Sequence, residues 1–455
     1  MVFTLRRQRK YKPEVSPYEV DLNSMITVQV GHTQFVLLNT HKSHVKFQLD
    51  VYTLEHNSLR VKVNEINPIR KRYEVEHSLV SEPKLVNVNL TRLDENLIEG
   101  TFGKSAKFIL NAKPFRLDLF TNGIFVMSMN SKNMFNFEHY RTKPGTNEGT
   151  NNEENEEGMW EETFKSHQDP KPYGPSSIGV DINFLNFENV YGIPEHADAF
   201  SLRSTHDTDP YRLFNVDVFE YDIQNPMALY GSVPYMLAHN EHATVGFFWL
   251  NAAEGWIDVN NDKLTVQGFF STVANFFSTK PGVDKNEVPE VTTHWMFESG
   301  IFDGFFFMGP TPRDIFKQYT AITGSVPLPP LWSIAYHQCR WNYNDEDDVR
   351  SVLNGFEKYF IPLDVIWLDI EHTNGKRYLT WDTGKFPNPQ KMQDDVAHYG
   401  RKMVTISDPH IKKDDGYQVY AVAKSKGYFV KTKEGADYEG SCWPGRSGDK
   451  ASFNL

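Results

Sequence analysis

The sequence predicts an antiparallel β-sandwich followed by parallel βα units. Short alternating strand-like runs fill the chain up to about residue 325, the hydrophobic period changes at Val326, and beyond it strands alternate with helices. At 455 residues the chain exceeds one ordinary core, so two or three domains are expected.

The first elements are half-buried strands, with Val45–Val51 and Leu59–Val63 alternating apolar and polar residues. The clearest hairpin joins Arg116–Phe120 to Ile124–Met127, because Asn122-Gly123 accepts the positive backbone angles of a tight turn. Residues 144–158 are acidic and polar with no apolar side chain, so they are expected to be a disordered insertion. Strands resume after it. Val245–Leu250 and Gly304–Met308 are continuous apolar runs suited to strands buried on both faces. The sandwich therefore spans residues 1–325.

After Val326–Pro330, Ser333–Cys339 reads as a buried strand. Asn344 can cap a helix with Val349, Leu353, Phe356 and Phe360 on one face, ended by Pro362. Val365–Ile370 is a second strand, Pro389–Tyr399 a helix, Met403–Ser407 a third strand, and Tyr417–Lys426 a last helix stopped by Gly427. This alternation fits a TIM barrel or an open doubly wound sheet.

Hydrophobic residues at 39%, charged at 23% and aromatics at 14% describe an ordinary folded interior with many rings. A net charge of −12 repels phosphate backbones and anionic membrane surfaces, which argues against a nucleic-acid partner. The basic cluster Arg6, Arg7, Gln8, Arg9 and Lys10 reads as a solvated N-terminal segment. Cys339 and Cys442 lack the spacing of a zinc or redox site and read as buried free thiols. No apolar run reaches membrane-spanning length. The opening residues lack the pattern of a secretory signal, so on this ground alone the chain reads as cytosolic. The triplet Asn89-Leu90-Thr91 is a candidate glycosylation sequon that points the other way.

In parallel βα folds the site forms at the carboxyl ends of the strands. There the sequence places Arg340–Tyr343 after the first strand, Asp369–His372 after the second, and Asp408–Ile411 after the third. Carboxylates, aromatics and histidines at one rim suit a polyhydroxylated ligand, whose hydroxyls need acceptors and whose ring faces stack on aromatic planes. Asp369 and Glu371 would share one face of a strand and form a catalytic pair, although two carboxylates on one strand are poorly placed to flank a scissile bond. Sugar binding is the stronger role for Asp369. Phosphate-loop, dinucleotide, GxSxG and HExxH motifs are absent; His239–His242 has the wrong spacing and reads as an exposed turn.

Several motifs then resemble glycoside hydrolase family 31: Tyr191–His196, Tyr230–Pro234, Tyr336–Tyr343, Trp367–His372, Gly375–Tyr378 and Asp408–Ile411. Trp160–Phe164 and Tyr173–Ser177 resemble its glucose-trimming α-glucosidase branch most. The resemblance implies a galactose-mutarotase-like sandwich, a (β/α)₈ barrel, and retaining hydrolysis of terminal α-linked glucose on N-linked glycans without a cofactor or metal. It implies a non-catalytic β subunit as partner and the endoplasmic reticulum lumen as location. By position, Asp369 resembles the family's sugar-holding aspartate, Trp341, Ile411 and Trp443 its subsite lining, and Asp217 an aspartate from a sandwich loop. The barrel resemblance covers 326–445, three strands of the eight, and residues 446–455 diverge from the family. The segments bearing the nucleophile and the acid/base have no counterpart here. No catalytic residue is therefore expected in these 455 residues, with Asp369 and Glu371 as the alternative pair and a non-catalytic carbohydrate- or subunit-binding fragment as the rival function.

Overall fold

The computed structural model describes residues 2–42, 44–143, 158–164, 167–218, 220–265, 287–432, 434–441 and 450–453. Two compact units are present, Met1–Ser325 and Val326–Leu455. The expected insertion at 144–158 lies, except for Gly158, outside the described residues, as does Cys442.

The first unit is a sandwich of two antiparallel sheets. One holds eight strands, with Tyr18–Gln29 at one edge, Val190–Gly192 at the other, and Phe302–Phe307 and Thr244–Trp249 near its middle. The other runs from Tyr211–Leu213 through Glu287–Phe297 and Ile178–Leu185 to Val88–Arg92 at its far edge. Alternation builds the interior: Phe247, Trp249, Phe302 and Phe306 from the first sheet meet Leu119, Met127, Ile182 and Trp295 from the second. The rings of Phe247 and Trp295 cross edge to face at 5.0 Å between centroids.

The continuous apolar runs have a physical cause, since both faces of these strands are covered. Phe248, Phe305 and Phe307 point away from the sandwich interior and pack under the helix Pro312–Thr323 through Ile315 and Ile322. That helix starts where it must. Thr311 and Asp314 form a reciprocal capping box, Pro312 occupies the first turn, and Gly324 ends it at φ 85°. The Arg116–Thr121 and Ile124–Met129 hairpin turns through Asn122 and Gly123, both at positive φ, with a register shift between Leu119 and Phe120.

The basic N-terminal cluster is not a solvated segment. It forms the helix Val2–Lys10, in which Arg7 pairs with Glu138 at 2.8 Å and Arg9 pairs bidentately with Asp258 at 2.9 Å. Gln8 between them is fully buried and donates to the Ser177 hydroxyl at 2.8 Å, leaving Arg6 and Lys10 exposed. Its partners lie more than a hundred residues away in sequence, beyond the reach of local charge reading.

In the second unit, His337–Gln338, Val365–Leu368 and Lys402–Thr405 form a three-stranded parallel sheet. The helices Glu346–Lys358 and Pro389–His398 cover one face through Val349, Leu353, Met392 and Val396 against Ile366 and Leu368. Glu346 ties the two helix entrances together, accepting from the Asn388 backbone N–H at 2.5 Å. The helix Gln418–Lys426 ends at Gly427, left-handed at φ 69°.

Four expectations change here. Ser333–Cys339 is not a strand: Leu331–Ile334 is a 3-10 turn entered from Pro330, and only His337 and Gln338 join the sheet. Cys339 follows that short strand and is exposed, not buried. The cap of the first helix is Asp345, whose side chain accepts from the Asp348 N–H at 2.8 Å, and Asn344 precedes it. Phe360 lies past the helix end in a left-handed conformation and is exposed, so it takes no part in the apolar face.

Candidate functional site

Because the three strands run parallel, their carboxyl ends share one rim of the sheet. Trp341 follows the first strand, Asp369 the second and Asp408 the third. The structure thus brings these three sequence candidates to one end of one sheet.

The second strand stops at Leu368. Asp369 then caps a 3-10 turn, Ile370–His372, with Oδ1 accepting from the Ile370 N–H at 2.7 Å. Its other carboxylate oxygen takes no hydrogen bond among the described residues. His372 folds back beneath the turn, Nδ1 lying 2.7 Å from the Asp369 carbonyl, and burial pushes its pKa down. A half-exposed carboxylate with one oxygen committed to its own backbone is oriented, and its second oxygen is available to a hydroxyl.

Glu371 does not share a strand face with Asp369, because no strand continues that far; this removes the geometric premise of a catalytic pair. Its side chain is 12% exposed and forms an ion pair with Lys376. Burial raises its pKa, yet the Lys376 ammonium and the Trp341 indole N–H outweigh burial and hold the carboxyl below its usual range. Glu371 therefore pairs with Lys376 through one oxygen, while its buried Oε2 takes no hydrogen bond among the described residues. Trp341 itself is 74% exposed.

The third strand end is held by Tyr378, which is fully buried and donates its hydroxyl to Asp408 Oδ2 at 2.5 Å, while His410 Nε2 lies 3.3 Å from the tyrosine hydroxyl oxygen. Burial lowers the His410 pKa, so the ring stays neutral beside this carboxylate. Tyr378 arrives there on the Gly375–Tyr378 turn, where Gly375 and Lys376 both take positive φ and Arg377 pairs with Asp414 at 2.9 Å. The motif is thus a device for delivering one buried tyrosine.

Ile411 is 5% exposed and packs with Ile370, Tyr378, Tyr417 and Phe429, so it supports the rim from beneath. Trp443 lies outside the described residues. Asp217 sits on an exposed loop of the first unit, where the Tyr230 hydroxyl donates to it at 3.2 Å. Two features escaped sequence reasoning. One is the Trp367 indole N–H, which donates to His337 Nδ1 at 2.9 Å across neighbouring strands; parallel register alone brings them together. The other is the Lys376 to Glu371 pair. Of His239–His242, His239 ends a strand and bonds Thr244 Oγ1 at 2.8 Å while the turn that follows reaches the surface. Among the described residues no cluster of three or more His, Cys, Asp or Glu could hold a metal ion, and no helix is long and apolar enough to cross a membrane.

A sandwich followed by parallel βα units whose rim carries an oriented carboxylate and an exposed indole suits a polyhydroxylated ligand. The family comparison agrees: residues 48–258 match the glycosyl hydrolase 31 N-terminal galactose mutarotase-like domain, and residues 326–453 match the glycosyl hydrolases family 31 TIM-barrel domain. The chain belongs to glycoside hydrolase family 31. It is 43% identical to neutral alpha-glucosidase AB of Homo sapiens over 97% of its own length and 49% of that protein. It is also similar to the crystal structure of a glucosidase II alpha subunit bound to Glc1Man2, with a TM-score of 0.86 at 35% identity, over 99% of this chain and 50% of that one. The same score and identity relate it to an ER glucosidase II heterodimeric complex of the catalytic subunit and the binding domain of the regulatory subunit, again over 99% and 50%. The chain spans about half the length of the relatives it matches. Its fold is a galactose-mutarotase-like sandwich followed by the start of the family's TIM barrel.

Proposed function

We propose that these 455 residues carry the sugar-holding part of an α-glucosidase that removes terminal α-linked glucose from N-linked glycans by a retaining mechanism. The observation that carries the reading is Asp369, oriented by its own cap and presenting a second oxygen beside the turn that holds Trp341. In this reading Asp369 accepts sugar hydroxyls and Trp341 stacks on the ring face. Similarity to the heterodimeric complex supports a non-catalytic β subunit as partner and the endoplasmic reticulum lumen as location.

Retaining hydrolysis needs two carboxyl groups about 5 to 5.5 Å apart on opposite sides of the bond. Glu371, the nearest acid in sequence, is paired with Lys376, which favours binding without turnover for this polypeptide. Calorimetric titration of the purified chain with a glucose-terminated oligosaccharide, run beside an aryl α-glucoside hydrolysis assay, tests both readings. Binding without hydrolysis is expected; no binding to glucose-terminated or mannose-terminated sugars would refute the sugar-holding role.

A further inference from the structure

We infer that Asn89 is an N-glycosylation site whose glycan caps an open sheet edge, an inference that rests on the luminal reading above. Asn89-Leu90-Thr91 is the only Asn-x-Ser/Thr triplet in the sequence. It lies on the strand Val88–Arg92, which pairs with Leu97–Phe102 on one side and is the last strand of its sheet. Strand alternation turns Val88 and Leu90 toward the sandwich interior, where they pack against its core, and leaves Asn89 and Thr91 exposed on the other face. Their cross-strand partners there are Thr101 and Glu99, both polar. A glycan on Asn89 therefore displaces no packed apolar side chain.

The free side of Val88–Arg92 offers a row of backbone N–H and C=O groups, the template on which another chain can add a strand. Native edges are blunted by charge, proline, bulges or cover. This strand has one charged residue, Arg92, at its end, and neither proline nor register shift within it. A large hydrated oligosaccharide at Asn89 supplies the missing cover. The donor class is a polyprenyl-diphosphate oligosaccharide: the Asn89 amide nitrogen bonds to the anomeric carbon, and the anomeric C–O bond to the diphosphate breaks. The lipid diphosphate leaves with that electron pair, and the amide gives up one proton.

The test takes native chain from membrane-enclosed vesicles after protease treatment of their exterior, and measures its intact mass with and without peptide N-glycosidase under non-denaturing conditions. The expected result is a mass increment that the glycosidase removes from the folded protein, and that is lost equally in Asn89→Gln and Thr91→Ala. Sedimentation of Asn89→Gln at high concentration should show greater self-association than the glycosylated chain. Protease-protected chain without the increment overturns the Asn89 assignment while leaving the luminal reading standing. Chain found only outside the vesicles and unmodified overturns both. Unchanged self-association removes the capping role.

Discussion

Tyr378 donates its hydroxyl to Asp408 at 2.5 Å from a fully buried ring, and so ties the turn after the second parallel strand to the end of the third. The same residue accepts from the Tyr417 hydroxyl through its carbonyl at 2.5 Å. One tyrosine thereby fixes the spacing of two rim segments.

Removing only that hydroxyl, in Tyr378→Phe, takes a hydrogen-bond donor from the Asp408 carboxylate and the 3.3 Å hydroxyl contact from His410 Nε2. The cost should be about 1.5 kcal/mol, the low end for a bond to a charged group, because the Asp408 side chain is 28% exposed and water can partly replace the donor. Urea unfolding followed by hydrogen exchange should place the loss in residues 337–429. A loss confined to the sandwich would contradict this account of Tyr378.

The N-terminal helix makes a second prediction. Gln8→Ala removes a donor from the Ser177 hydroxyl, which keeps its bond to Glu138, and an acceptor from an Asn136 amide hydrogen, at a cost of about 1 kcal/mol for lost hydrogen bonds. Amide exchange across residues 2–10 should accelerate, whereas Lys10→Ala, at an exposed position, should leave it unchanged. Equal exchange in both variants would mean that the helix is not docked through Gln8.

Acid should weaken the sandwich through two imidazoles, the buried His294 and the half-buried His139. Burial pushes His294 down to about 3, with Lys12 and Arg9 adding to it, and burial together with Arg141 pushes His139 down to about 3. Both stay neutral in the folded protein while the unfolded chain takes up protons near pH 6.5, so stability is highest above that pH and falls as pH drops from about 6.5 toward 3. Both His294 ring nitrogens lack a hydrogen-bond partner among the described residues, so His294→Phe strands none of these groups. Denaturant midpoints between pH 7 and pH 4 should fall less in His294→Phe than in the parent. A parallel fall would exclude His294 as a contributor.

What the sequence could show was set by the range of the forces involved. Thr244–Trp249 and Phe302–Phe307 were legible because burial on both faces leaves an unbroken apolar run, and the Asn122-Gly123 hairpin because turn geometry is local. The first barrel strand was misread because Ile334 and Ala335 look like strand residues, although the preceding prolines set up a 3-10 turn. The Asp369 and Glu371 pairing failed for a related reason: period-two reasoning holds only while the strand lasts, and Asp369 ends it by capping. Rim positions were readable from strand ends, whereas the partners of Arg7, Gln8 and Glu371 depend on tertiary folding or turn conformation that no periodicity encodes.

The central claim is that Asp369 holds a sugar, and the most direct test is calorimetric binding of a glucose-terminated oligosaccharide to the parent chain and to Asp369→Ala. Circular dichroism should confirm that both are folded. Loss of one charge-assisted hydrogen bond predicts affinity weaker by about 10- to 150-fold, corresponding to about 1.5 to 3 kcal/mol, with no hydrolysis by either protein. Equal affinity in a folded Asp369→Ala chain, or turnover by the parent that Glu371→Gln abolishes, would contradict the account.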